Sequence, residues 1–267
     1  MPEPAELQGE VFDALAAKAA LPLGPMLVLG MMAGVYIGLG GLFATVALTG
    51  ADSLPHGVAQ ILAGLVFSLG LALVVIAGAE LFTGNTMMLG AVAAGKIGPG
   101  GAARALAIVY AANFLGALLL AGLVLAAGLH ERGDGGLGRA ALELGRAKTG
   151  NSFASNLFSG VLANMLVCLA VWLAYAGRSV TQKLAGVALP VAAFVAAGLE
   201  HSVANMYLLP YAAMVAAATG DAAGTIGLRA IAGNLIPATL GNILGGALVA
   251  LSYWRAYAST GGEDSGE

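Results

Sequence analysis

Gly78-Ala79-Glu80-Leu81-Phe82-Thr83-Gly84-Asn85 and Gly198-Leu199-Glu200-His201-Ser202-Val203-Ala204-Asn205 share one pattern, Gly-x-Glu-x-x-x-small-Asn, set 120 residues apart from Glu80 to Glu200. Each copy sits inside a long apolar stretch and carries the only carboxylate of that stretch. A second echo follows: Asn113-Phe114-Leu115-Gly116 returns as Asn242-Ile243-Leu244-Gly245, 129 residues on from Asn113 to Asn242. The chain therefore reads as a three-helix unit written twice. An odd number of spans per unit makes the second copy enter the membrane from the opposite side, an inverted repeat.

Composition supports a membrane setting. Of 267 residues 59% are hydrophobic and 9% charged, where a soluble domain carries about 25% charge. Soluble enzymes and disordered chains are excluded on that ground. The 11 basic residues and net charge of −3 give no basic surface for nucleic acid. One cysteine, Cys168, rules out an internal disulfide and a zinc or iron–sulfur set. Histidines at 56, 130 and 201 are too scattered to hold a haem between them. No cofactor or metal is expected.

Spans need about 20 apolar residues. Six stretches qualify, about 26–48, 58–94, 105–128, 153–176, 186–217 and 229–254. Lys96, Arg104, Arg178 and Lys183 lie in two short loops on one side, whereas the short loops 49–57 and 218–228 hold no Lys or Arg. The positive-inside rule then places both termini in the cytoplasm, with Arg132, Arg139, Arg146 and Lys148 of loop 129–150 as outside charges that run against it. Residues 1–25 form an acidic amphipathic segment with Leu7, Val11 and Leu15 on one face, expected to lie on the membrane surface. The six-helix domain spans 26–257, with halves 26–128 and 153–254, and 258–267 forms a disordered cytoplasmic tail.

The second and fifth stretches exceed 30 residues, too long for one straight helix across a ~30 Å core. Both are expected to break at the repeated pattern. A break frees backbone N–H and C=O groups that lipid cannot satisfy. Glu80 and Glu200 with Asn85 and Asn205 suit that task, the carboxylates accepting freed N–H groups. The other reading of the two glutamates is contact with a transported species, since a mid-membrane charge costs at least ~2.5–3.5 kcal/mol and marks function by default. Asn113 and Asn242 read as cross-helix hydrogen bonds.

His201 is the only histidine in a span. It is either a packed core residue or a titrating group at the pore. Thr83 offers a neutral hydroxyl at the other break, and the two together suit a small hydrogen-bonding solute rather than a sugar or a metal ion. Phe67, Leu71, Phe82, Val167 and Phe194 are either ordinary packing or hydrophobic constrictions. Lys148, just before a helix start expected at Thr149-Gly150-Asn151, is either a solvated loop charge or a draw for anions at a pore mouth. An intramembrane enzyme built on Glu80, Glu200 and His201 lacks a nucleophile pair and a metal set, and a neutral-solute channel shares the fold without the proton chemistry.

Four stretches in order resemble the formate/nitrite transporter family: Ala79-Glu80-Leu81-Phe82-Thr83-Gly84-Asn85; residues 163–172, which open Ala163-Asn164 and close Val171-Trp172; Gly198-Leu199-Glu200-His201-Ser202-Val203-Ala204-Asn205-Met206; and Asn234-Leu235-Ile236-Pro237 with Thr239-Leu240-Gly241-Asn242. The resemblance covers about residues 10–257. It implies an all-α, aquaporin-like protomer of six transmembrane helices with broken second and fifth helices. It implies a homopentamer in a cytoplasmic (inner) membrane, each protomer with its own pore. It also implies small monovalent anions of weak acids as substrates: nitrite, formate or hydrosulfide. On the family's pattern His201 is the central histidine, Thr83 the pore threonine, Glu200 the acid before the histidine, Lys148 the vestibule lysine and Asn164 a pore-lining asparagine. The apolar constrictions fall on Phe67, Leu71, Leu81, Phe82, Val167 and Phe194. Glu80-Leu81-Phe82-Thr83-Gly84 departs from the Asp-Leu-Phe-Thr-Ser typical of formate channels and leans toward the nitrite and hydrosulfide branches, while Arg178-Ser179 leans toward formate. The expected mechanism is anion collection by Lys148 and proton uptake near His201 and Thr83. Gly116, Ala117, Gly245 and Gly246 are expected to allow close contact between protomers.

Overall fold

Both over-long apolar stretches come apart at their glutamates in the computed structural model, which describes residues 2–221 and 226–258. The second stretch divides into α3 (His56–Ala77), α4 (Phe82–Asn85) and α5 (Met88–Ala93). The fifth divides into α9 (Val180–Ala196) and α10 (Ser202–Thr219). Each first segment is stopped by a glycine of the repeated pattern in the left-handed region, Gly78 at φ 72° and Gly198 at φ 67°. A residue with a Cβ pays about 1–2 kcal/mol there, so the glycine two residues before each glutamate ends the helix at a fixed place.

The remaining helices are α1 (Pro4–Ala19), α2 (Leu23–Leu48), α6 (Pro99–Ala126), α7 (Gly136–Thr149), α8 (Phe153–Ala176) and α11 (Leu228–Tyr257), with no strand among the described residues. Of these, α2, α3, α6, α8 and α11 are long and apolar enough to cross a membrane, and α9 is a shorter apolar helix. The residues expected as the fifth span are shared between α9 and α10. Loop 218–228 falls partly outside the described residues, and so does the expected tail apart from Ala258.

Packing repeats between the halves. The first long helix of each half lies on the other two, α2 against α3 and α6, α8 against α9 and α11. At the centre α3 packs on α9. The segment after each break crosses over to the other half, α10 onto α6 and α5 onto α11. The outer surface stays apolar: Leu115, Leu119 and Leu123 on α6 and Leu240, Leu244 and Leu248 on α11 form exposed rows. Water would not tolerate such continuous rows on a lone soluble chain.

Three expectations need correction. The apolar face of α1 is not laid on lipid. Leu7, Val11, Phe12 and Leu15 are buried because α1 packs on α5, α6, α8 and α11. Its acids Asp13 and Glu10 pair with Lys96 and Arg178, and the Phe12 ring meets Trp172 edge-on at 6.4 Å. Residues 136–149 are not loop but the amphipathic helix α7, so Lys148 ends a helix and Ser152 caps the next by accepting from the Ser155 N–H. Lastly, Gly116 and Gly245 pack inside the protomer, against the backbones of Met31 and Val161, and Gly246 against Thr86. Ala117 is buried there too. None of these four forms an outer contact face.

Candidate functional site

Each break is held by an asparagine from the third long helix of its own half. Asn113 Nδ2 donates to Glu80 O and to Gly30 O, both at 2.8 Å, while Asn113 Oδ1 accepts from the Phe82 N–H at 2.9 Å. Asn242 repeats this: Nδ2 donates to Glu200 O (3.0 Å) and Gly160 O (2.8 Å), and Oδ1 accepts from the Ser202 N–H (2.8 Å). The side-chain amide thus replaces the helical bonds lost at residues flanking the glutamate. The Glu200 N–H goes to Ser159 Oγ.

The carboxylates are therefore not occupied by backbone N–H groups, as the sequence suggested. Glu200 accepts from Lys148 Nζ (3.1 Å), Asn234 Nδ2 (3.0 Å) and Asn205 Nδ2. Glu80 accepts from Lys18 Nζ and Asn85 Nδ2, both at 2.8 Å. Each buried charge is matched by one lysine and further hydrogen bonds, the condition under which an ion can be held away from water. Lys148 is consequently not a solvated loop lysine: its side chain is only 15% exposed.

His201 lies between these networks and is buried. Its Nδ1 accepts from the Ala204 N–H at 3.1 Å, capping α10. This makes Nε2 the protonated nitrogen of the neutral ring, and Nε2 donates to Thr83 Oγ1 at 2.9 Å. The threonine hydroxyl keeps its own hydrogen for another acceptor.

Two cavities approach this pair from opposite faces. One, of about 140 Å³, is bordered by Leu15, Lys18, Leu81, Asn85 and Lys183. The other, of about 80 Å³, is bordered by Phe67, Lys148, Phe194, Asn205 and His201. Lys18 and Lys148 face the cavities while Glu80 and Glu200 stand behind them, so each cavity meets the cationic end of an ion pair. Phe67 and Phe194 meet edge-on at 5.6 Å, and Phe194 stacks on the His201 ring at 5.6 Å.

The other expected residues are buried between helices. Phe82 packs against Tyr110 on α6 at 4.8 Å. Leu71 and Val167 lie in the core. Asn164 Nδ2 reaches Thr83 O, Thr86 Oγ1 and Asn242 O. Sequence reasoning missed Lys18 and Asn234 as partners of the glutamates. Asn234 stood inside a quoted motif without a role, and its order before Asn242 on one helix was the available signal. Lys18 gave no signal in the repeat, since α1 precedes the first copy.

An all-helical bundle with an apolar girdle and a buried polar pair between two cavities defines a membrane channel or transporter. The formate/nitrite transporter family model matches residues 5–255. The formate channel FocA of Escherichia coli (strain K12) is 39% identical over 242 residues, covering 86% of this chain and 85% of the relative. A probable formate transporter of Methanothermobacter thermautotrophicus is 37% identical over 257 residues, covering 90% and 91%. A solved pentameric formate channel with formate bound superposes with a TM-score of 0.82 at 39% identity, covering 89% of this chain and 98% of that one. The chain belongs to the formate/nitrite transporter family.

Proposed function

We propose that this protein conducts small monovalent anions of weak acids, formate foremost, across a cytoplasmic membrane with proton-coupled passage at Thr83 and His201. The buried Thr83–His201 hydrogen bond between two lysine-faced cavities carries this reading. A bare anion loses its hydration at an apolar closure and pays heavily for it, whereas the protonated acid is neutral and pays far less. Lys148 on one face, and Lys18 on the other, raise the local anion concentration. Phe67, Phe194 and Leu81, with Leu71, Phe82 and Val167 behind them, keep water from bridging the two cavities. The anion takes up one proton from the solution on the entry side while the Thr83 hydroxyl, held by His201 Nε2, hydrogen-bonds its oxygen; it crosses as the neutral acid and releases that same proton to the solution on the far side. Glu80, Glu200, Asn85, Asn205 and Asn242 keep the breaks open, and Asn164 braces them.

The same reading includes six spans arranged as an inverted repeat (halves 26–128 and 153–254), with α9 and α10 together as the fifth, both termini cytoplasmic and α1 as a separate docked segment. It also includes assembly as a homopentamer, as in the solved formate channel named above. Nitrite and hydrosulfide are the alternatives that Gly84 favours. A neutral-solute channel is the competing class. Uptake of formate, nitrite, hydrosulfide and glycerol into proteoliposomes across external pH separates them: formate flux that rises as external pH falls, with glycerol excluded, is the expected result.

A further inference from the structure

Thr83 donates and accepts at the crossing point, yet its backbone lies on α4, a helix only four residues long. Helices this short leave carbonyls without the N–H that would follow them. The Met87 N–H, which would normally reach Thr83 O, bonds instead to Gly84 O at 3.3 Å. The Thr83 carbonyl is therefore taken up by side chains. Thr86 Oγ1 donates to it at 2.6 Å, Asn164 Nδ2 at 3.2 Å and Cys168 Sγ at 3.7 Å.

Thr86 is the hub of this group. Its single hydrogen goes to Thr83 O, and its oxygen accepts from Asn164 Nδ2 at 2.9 Å. It is fully buried. Asn164 continues to Asn242 O, and the Asn242 side chain holds the backbone on both sides of His201. A continuous set of hydrogen bonds thus runs from the Thr83 peptide, through Thr86 and Asn164, to the peptide groups that carry His201. Space for the hub is made on α11 by Gly246, where an added Cβ would lie 1.9 Å from Thr86 Oγ1. The second half has no equivalent. The residues matching Thr83 and Thr86 are Val203 and Met206, and α10 runs on for 18 residues, so ordinary helical bonds serve there.

We infer that Thr86 is a positioning residue: its hydroxyl fixes the Thr83 carbonyl, and through it the separation of Thr83 Oγ1 from His201 Nε2. The inference rests on the reading of Thr83 and His201 as the crossing point. It touches neither cavity, so its effect falls on passage and not on anion collection.

Thr86→Val keeps the shape and removes both hydrogen bonds. In proteoliposomes maximal formate flux should fall about tenfold, the effect of losing roughly 1.4 kcal/mol of alignment. The half-saturating formate concentration should stay unchanged, and the pH profile should flatten toward that of His201→Phe. Thr86→Ser keeps the hydroxyl and should restore flux and profile. Equal impairment in Thr86→Val and Thr86→Ser overturns the inference, since the hydroxyl is then not the cause. A wild-type profile in Thr86→Val beside an altered one in His201→Phe also overturns it and leaves the crossing point standing. Wild-type profiles in both variants remove the crossing-point reading as well. Should Thr86→Val not reach the membrane, Thr86→Ala decides on the same readouts.

Discussion

Lys148 Nζ lies 3.1 Å from Glu200 Oε1, and the same side chain borders the cavity in front of His201. The residue therefore has a structural share as well as an electrostatic one. Removing one member of a buried ion pair leaves the other charge uncompensated and costs about 3–5 kcal/mol. Lys148→Ala should lower the unfolding temperature in detergent, and adding Glu200→Gln should recover part of the loss, because the amide carries no charge to strand. Identical unfolding of Lys148→Ala and wild type would mean that Asn205 and Asn234 suffice to hold the carboxylate. In the double variant, flux at low formate should still fall below wild type at low salt and converge with it as salt rises, since the pull of Lys148 on anions still in solution is screened over ~10 Å at 0.1 M.

The elements that matter most are the two breaks, and their stability depends on one side chain each. Asn242 satisfies Gly160 O, Glu200 O and the Ser202 N–H together. An unmatched buried polar group costs about 1–3 kcal/mol, so Asn242→Leu, with similar bulk and no amide, should yield little monodisperse protein on size exclusion in mild detergent. A wild-type elution profile and yield would contradict this role. The position of both breaks was legible in the sequence because glycine, glutamate and asparagine recur at fixed spacing and helix length is bounded by the bilayer. What holds the glutamates was not legible. Lys18 and Lys148 lie 62 and 52 residues from their partners, and neither spacing follows the repeat. An amphipathic period such as that of α1 reads alike whether its apolar face meets lipid or protein. Helix α7 was hidden for a related reason: its charges made it read as loop, although Leu137, Ala141 and Leu142 bury one face. Thr86 was invisible because a carbonyl left free by a four-residue helix has no sequence signature.

On the scale of the whole molecule, the glycines that sequence reasoning assigned to protomer contacts are buried within the protomer, which leaves the apolar rows of α6 and α11 to face lipid or a neighbouring copy. Native mass spectrometry in mild detergent should give five chains per particle; monomers or trimers would contradict the assembly. The proposed proton-coupled passage rests on a single buried pair, Thr83 and His201, set between two cavities that do not depend on it for their charge. His201→Phe keeps the bulk and the stacking partner for Phe194 but removes the hydrogen given to Thr83 and the acceptor for the Ala204 N–H, so flux is read only on variant protein that has assembled as wild type does. The measurement is formate flux into proteoliposomes against external pH, for wild type and His201→Phe at equal protein content. Flux that rises toward acid in wild type and a profile flattened or lost in His201→Phe is the predicted result; two profiles that coincide in shape and height would contradict proton-coupled passage at this pair.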